Sequence, residues 1–343
     1  MIKIRSQFDS KCKIQNARSF CILKFRCSLM FVLCILFFGA SAQQTPQYTQ
    51  FMLNNYGMNP AACGAFSNKL ELLTGVRRQW VGFEQAPVTA FFNFNTYIGN
   101  KGTTRINSGW HGIGAYWQGD RQGTLIKTDD FYASYTYLLH ITRSGFISFG
   151  MAVGARRYGL RINDITDPVL AAKNVWIYPD IIPGVKFFNT NWTFDLSFKQ
   201  LYKYKAQQGG DMVGSPTKLP PHLYFSCTRK WWPRAHLLIV QSLQFKYTFA
   251  AFPSLDYGML AHLSKNFAVG LSYRHFDAVS AVVQYRLDKL VIGVAYDYSI
   301  APYRIGFADS QEYMLGLAPS PFSGGNGYAP GHYRTAECPT FQY

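Results

Sequence analysis

From about Leu70 to Leu317 the chain alternates apolar and polar residues, segment after segment. The clearest case is Trp192-Thr193-Phe194-Asp195-Leu196-Ser197-Phe198-Lys199, four large apolar side chains interleaved with four polar ones. A strand sends successive side chains to opposite faces, so this pattern describes a sheet with one apolar and one polar face. Other rows repeat it: Ile147, Phe149, Met151, Val153, Ala155; Phe267, Val269, Leu271, Tyr273; Leu290, Ile292, Val294, Tyr296, Tyr298. About fourteen strands are predicted, near 70–79, 88–98, 110–118, 129–139, 146–157, 178–188, 191–200, 221–230, 235–249, 254–263, 267–275, 279–287, 290–298 and 311–317. Most approach the nine to eleven residues that a tilted strand needs to cross a bilayer. An open sheet edge in lipid would leave backbone groups unpaired at several kcal/mol each, so the sheet is expected to close.

The gaps carry a second signal. Brief connectors stand at His140-Ile141-Thr142-Arg143-Ser144, at Asn189-Thr190, at Trp231-Trp232-Pro233-Arg234, at Ser264-Lys265-Asn266 and at Asp288-Lys289. Gaps of the other parity include the long segments 158–177, 201–220 and 299–310. Short periplasmic turns and long external loops are the habit of outer-membrane barrels. The gaps 99–109 and 250–253 break the parity. Residues 43–69 lack strand alternation and read as a periplasmic lead-in outside the barrel. Residues 319–343, with Pro319, Pro321, Gly324, Gly325, Gly331 and Pro339, read as a loose tail.

Residues 1–42 have the form of a cleaved signal peptide: a basic stretch, an apolar run from Leu29 to Ala40, and Ala40-Ser41-Ala42 before Gln43. Cys34 follows Val32-Leu33 rather than the small residues of a lipoprotein site. Removing this leader takes Lys+Arg from 34 to 27 and Asp+Glu from 18 to 17, a net +10 in place of +16. The remaining basic residues are scattered among strands with no basic helix or finger, which argues against nucleic acid. Envelope phosphates or an acidic protein client are the expected counter-charges. Aromatics at 17% and charged residues at 15% suit strands with interfacial aromatic girdles. The mean hydropathy of −0.07 fits strands that are half polar.

No cofactor or metal is implied. The mature chain would keep Cys63, Cys227 and Cys338, an odd number with no metal-ligand spacing. The seven His residues are dispersed, with no H-E-x-x-H and no nucleophile elbow. Ser272 with His262 or His275 and Asp277 is the one grouping that an outer-membrane enzyme could use; lumen or loop positions describe these residues better. Gly109, Gly112 and Gly114 match no phosphate loop, and strand glycines more often mark a bend or close packing.

Three N-terminal motifs bear a resemblance to a known family. They are Gln47-Tyr48-Thr49-Gln50-Phe51, Met58-Asn59-Pro60-Ala61-Ala62-Cys63-Gly64, and Arg77-Arg78-Gln79-Trp80-Val81-Gly82-Phe83-Glu84-Gln85-Ala86-Pro87-Val88-Thr89. Near the other end stand Tyr296-Asp297-Tyr298-Ser299 and then Glu312 in a last strand. Together these resemble the PorP/SprF family of outer-membrane proteins of the type IX secretion system of Bacteroidetes. Cys63 departs from the pattern, standing where Ala or Tyr is common. The resemblance implies a non-enzymatic role in protein export at the cell outer membrane. It implies binding of cargo with a C-terminal sorting domain, including surface adhesins used in gliding motility, or of periplasmic ring components. Outer-membrane lipid and lipopolysaccharide are further expected partners.

The sequence reading is thus an all-β protein: a transmembrane antiparallel barrel of about fourteen strands over 70–318. A general diffusion porin is the alternative function, and an outer-membrane enzyme a more distant one. Asn59, Pro60 and Gly64 are candidates for partner contact, against a plain role in a compact turn. Trp80, Gly82, Phe83, Ala86 and Pro87, in the connector between the first two strands, are candidates on the same footing.

Overall fold

A computed structural model describes residues 46–65, 70–99, 108–124, 126–142, 144–160, 175–201, 221–234, 237–248, 251–264, 266–287, 289–300 and 309–317. The fourteen strands are β1 (Leu70–Arg78), β2 (Val88–Ile98), β3 (Gly109–Gln122), β4 (Ile126–Thr142), β5 (Gly145–Leu160), β6 (Val175–Asn189), β7 (Trp192–Lys199), β8 (His222–Arg234), β9 (Leu237–Thr248), β10 (Ala251–His262), β11 (Phe267–Arg274), β12 (Ala278–Leu287), β13 (Leu290–Ser299) and β14 (Ser310–Leu317). Each pairs antiparallel with its sequence neighbours, and β1 pairs with β14 from Leu72↔Leu317 to Arg78↔Gln311. The barrel is therefore closed and has no free edge.

Alternation decides which side chain faces where. On β7, Trp192, Phe194 and Leu196 are exposed on the outside while Thr193, Asp195 and Ser197 are buried inside. On β5, Phe149, Met151 and Val153 are exposed and Ser148, Gly150 and Ala152 are buried. The outward faces bear the apolar residues that meet lipid, and the inward faces are polar. At one end the connectors 143–144, 190–191, 235–236, 263–266 and 288–289 are short and only 99–108 is long, whereas the other end carries the long 79–87, 161–174, 200–221 and 300–309 beside the short 123–125, 249–250 and 275–277. The end richer in long connectors is the external end of the barrel, and both β1 and β14 meet the periplasmic end.

Fourteen strands enclose more space than wall side chains can fill, since about eight already give a filled interior. The surplus is occupied by the chain's own N-terminal segment. Residues 46–65 run down the lumen as turns, a short helix α1 (Asn55–Met58) and a 3-10 turn at Pro60–Ala62. Tyr48, Phe51, Leu53, Asn54, Asn59, Ala61, Ala62 and Cys63 are all buried there. This corrects the expectation that 43–69 lies outside the barrel as a periplasmic lead-in. The segment has no strand alternation because its backbone bonds go to its own short turns and to wall side chains rather than to a ladder. Lys199 Nζ donates to the Gly57 carbonyl (2.8 Å), Ser197 to Met58 (2.8 Å), Thr136 to Pro60 (2.8 Å), Ser148 to Ala61 (2.6 Å) and the Trp110 indole to Gly64 (3.0 Å). Five carbonyls in eight residues are satisfied this way, as a buried irregular segment requires.

The expected leader 1–42 and the tail 319–343 lie outside the described residues, as do most of the three long connectors 161–174, 200–221 and 300–309.

Candidate functional site

At the external half of the lumen, four charged or hydroxyl residues from distant parts of the chain meet. Arg77 on β1 holds Asp297 of β13 at 2.7 Å and Glu312 of β14 at 3.3 Å, with all three side chains almost fully buried. The same guanidinium donates to Thr49 Oγ1 at 2.7 Å, and the Thr49 hydroxyl donates to Asp297 at 2.7 Å. Glu312 accepts the backbone N–H groups of both Thr49 and Gln50 at 2.8 Å each. A carboxylate bridging two consecutive amides is a strong, charge-assisted clamp on the plug backbone. Beside it Tyr48 donates to Gln118 (2.9 Å) and stacks edge-on against Phe91. The arrangement works as a latch: the paired wall residues Arg77, Asp297 and Glu312 each also bond Thr49 of the plug, so the charge cluster and the seated plug are fastened to one another.

The periplasmic half of the plug is held by fit. An added Cβ at Gly150 would lie 2.4 Å from the Ala61 nitrogen, at Gly112 2.3 Å from the Cys63 carbonyl oxygen, and at Gly184 2.0 Å from Asn59 Oδ1. These glycines stand on the inward face of β5, β3 and β6 and let the plug backbone touch the wall. Asn59 caps the following turn through Ala61 N–H (2.9 Å) and donates to Asp195 (3.1 Å), which also pairs with the fully buried Lys186 (2.8 Å). Gly64, at φ +69°, turns the chain against Gly112, where a side chain has neither the conformation nor the space.

Cys63 reports on this closure. Its side chain is completely covered, so a reagent reaches the thiol only when the plug leaves its seat. In a Cys227→Ser, Cys338→Ser background, maleimide at pH 8 is expected to label Cys63 at least 100-fold more slowly in the folded barrel than in denaturant. Equal rates in the two states would show that the plug does not seal the lumen.

The predicted site residues separate into two groups. Asn59, Pro60 and Gly64 are buried inside the barrel, in and beside the turn that Asn59 caps. Trp80 and Phe83 are 51% and 45% exposed at the external rim, with Gly82 exposed between them and Ala86 and Pro87 half-buried. This connector is ordered by Val81 N–H to the Asp309 carbonyl (2.8 Å) and Gln79 N–H to the Pro87 carbonyl (3.0 Å). Trp80 (φ +51°) and Gln85 (φ +62°) occupy the left-handed region, strain that the surrounding bonds hold in place. Ser272 is buried in the lumen wall, whereas His275 is exposed at the rim against Phe276, so these two side chains are kept apart. Among the described residues no three His, Cys, Asp or Glu side chains gather as metal ligands.

Sequence reading did not single out Arg77, Thr49, Asp297 and Glu312 as a cluster, although each lies in a segment that carried the family resemblance. The usable signal was positional: Arg77, Asp297 and Glu312 are charges on inward strand positions close to one end of the barrel.

Residues 40–316 match a family profile described as "Type IX secretion system membrane protein PorP/SprF". A comparison with curated proteins finds no match. Among solved structures the chain is similar to the Ralstonia pickettii toluene transporter TbuX, at 9% identity over 79% of this chain and 92% of that one, with a TM-score of 0.46. It is also similar to a Pseudomonas aeruginosa FadL homologue, at 10% identity over 81% and 95%, with a TM-score of 0.45. A monoaromatic hydrocarbon channel, the TodX deltaS2S3 mutant, stands at 11% identity over 81% and 95%, with a TM-score of 0.44.

Proposed function

Since the chain belongs to the PorP/SprF family of type IX secretion system membrane proteins, we propose that it serves that system as a sealed docking barrel rather than as a conduit. Its place is the outer membrane. The observation that carries this reading is the filled lumen. A barrel whose interior is occupied by its own residues 46–65, clamped at one end and fitted at the other, offers surfaces to partners in place of a passage.

The exposed rim connector with Trp80, Val81 and Phe83 is the surface we assign to secreted cargo bearing a sorting domain, surface adhesins of gliding cells among them. Exposed aromatics on a conformationally fixed loop supply large contact area at low entropic cost. The short periplasmic turns are the surface available to ring components.

The test is a deletion strain complemented with wild type or with Trp80→Ala/Phe83→Ala, followed by surface proteomics. Specific surface proteins should fall at least tenfold in the double variant while the barrel itself reaches the outer membrane at normal level. Unchanged secretion would reject the rim as the cargo surface. The diffusion-porin reading has its own measurement: wild-type protein in planar bilayers that passes small ions freely would restore it.

A further inference from the structure

Strand register places Arg78, Val88, Arg121 and Lys127 side by side across β1 to β4: Arg78 opposes Val88, Val88 opposes Arg121, and Arg121 opposes Lys127. Directly opposed residues project to the same face. Here that face is the outer one, because the neighbours Arg77, Thr89 and Asp120 are the buried, inward positions. Three cations therefore share one row at the external end of the barrel, Arg78 and Arg121 roughly 10 Å apart across two strand spacings. Among the described residues Arg78 and Arg121 have no carboxylate partner, whereas Lys127 shares Asp129 (3.0 Å) with Arg157 (3.8 Å). Asp120 is engaged inward by Thr89 (2.6 Å) and Gln122 (2.7 Å). Like charges set directly opposite one another destabilise a sheet; Asp129 answers Lys127, which leaves Arg121 facing it with no anion of its own among the described residues.

The next outward row toward the bilayer centre runs Val76, Ala90, Gly119 and Asp129, and the one after it Phe92, Trp117 and Phe131. Small residues between a cationic row and an aromatic row leave a groove of about 820 Å³, closed on its external side by Val81, Gly82 and Phe83 of the rim connector. Val76, Ala90 and Gly119 give the groove an apolar floor, Asp129 at its β4 end is held by Lys127 and Arg157, and the upper edge is basic; at the level where strands leave the outer leaflet this matches an amphiphile with an anionic head.

We propose that this groove is a binding site for lipopolysaccharide, which places a lipid A phosphate between Arg78, Arg121 and Lys127 and an acyl chain along Val76, Ala90 and Gly119. Arginine favours phosphate through its planar fork of donors, and two of the three cations have that fork. A soluble phosphate would satisfy the cations and leave the apolar floor in water. The site does not depend on the cargo role of the connector, since the cations and the furrow belong to the wall.

Native mass spectrometry of the full-length folded protein in detergent, titrated with diphosphoryl lipid A, dephosphorylated lipid A and phosphatidylglycerol, tests the assignment. Diphosphoryl lipid A should bind at least tenfold more tightly than either of the others. Arg78→Gln/Arg121→Gln/Lys127→Gln should lose at least tenfold, and Ala90→Trp, which fills the furrow and changes no charge, should lose a similar amount. Heat-modifiable migration in electrophoresis identifies folded barrels, and the exposed single variant Arg121→Gln, with a threefold loss expected, serves where the triple variant does not fold. Wild-type affinity in the charge variants, or equal binding of dephosphorylated lipid A, would overturn the site. Full displacement of lipid A by millimolar inorganic phosphate would overturn it as well, in favour of a soluble-anion site.

Discussion

Arg77→Met is expected to raise the labelling rate of Cys63 by about 100-fold and to make the barrel conduct ions. The substitution keeps an apolar stem of similar length and deletes the charge that Asp297 and Glu312 share. Breaking a buried ion pair by removing one member destabilises by about 3–5 kcal/mol, because the abandoned charge stays buried. At about 1.4 kcal/mol per decade the lower figure alone gives roughly 100-fold in the plug equilibrium. The lower figure is the appropriate one, since Arg274 stands 3.9 Å from Asp297 and retains part of the neutralisation. Glu312 has no such second cation among the described residues, and it repels Asp297 once Arg77 is gone. Releasing Thr49 and Gln50 lets water reach both carboxylates, so the plug is the element that yields. Arg77→Lys keeps the charge but loses the fork that reaches Thr49, Asp297 and Glu312 together, and should fall between wild type and Met. Labelling of the Met variant at the wild-type rate in the Cys227→Ser, Cys338→Ser background would remove the latch from the description.

Gly150→Leu acts on the other end and by a different mechanism. Its Cβ would meet the Ala61 nitrogen at 2.4 Å, the Ala61 Cα at 2.5 Å and the Pro60 carbonyl carbon at 2.6 Å, all backbone atoms that cannot rotate away. The wall cannot retreat either, because Gly150 is paired with Thr136 on one side and Gly184 on the other. Overpacking of this kind costs about 1–3 kcal/mol even where side chains can adjust. A 10- to 100-fold rise in Cys63 labelling is expected, with strand content by circular dichroism unchanged. Met151→Leu, one residue along on the lipid face, is the control and should do nothing. If Gly150→Leu labels no faster than that control, the plug does not rest against β5. The latch and the fitted end share no residues, so their effects on labelling should be close to additive.

All fourteen strands were legible in the sequence, and the differences at their ends have a physical cause. β4 is expected over 129–139 and runs over Ile126–Thr142; β5 is expected over 146–157 and runs over Gly145–Leu160. Strands continue past the bilayer, where both faces meet water and the apolar–polar alternation that reveals them fades. β7, which has its alternation to the last turn, is within one residue of its expected bounds. The rim connector was also readable, because Trp80 and Phe83 are large apolar residues in a gap between strands.

The plug was not readable. Residues 46–65 have no period, because their bonds are divided between brief local turns, as from Cys63 N–H to the Pro60 carbonyl, and wall groups such as Ser148, Ser197 and Trp110. The inward glycines at 112, 150 and 184 were visible as glycines on a polar face, but nothing local says what approaches them. The same holds for Thr49 and Glu312, 263 residues apart along the chain. Alternation by itself determined strand number, face and closure, since each follows from the two-residue repeat and from the penalty of an unpaired edge in lipid. Only the tertiary structure decided what fills the cylinder. Contacts between remote residues depend on the radius and register that the closed sheet acquires once all fourteen strands are paired, and no local pattern encodes either.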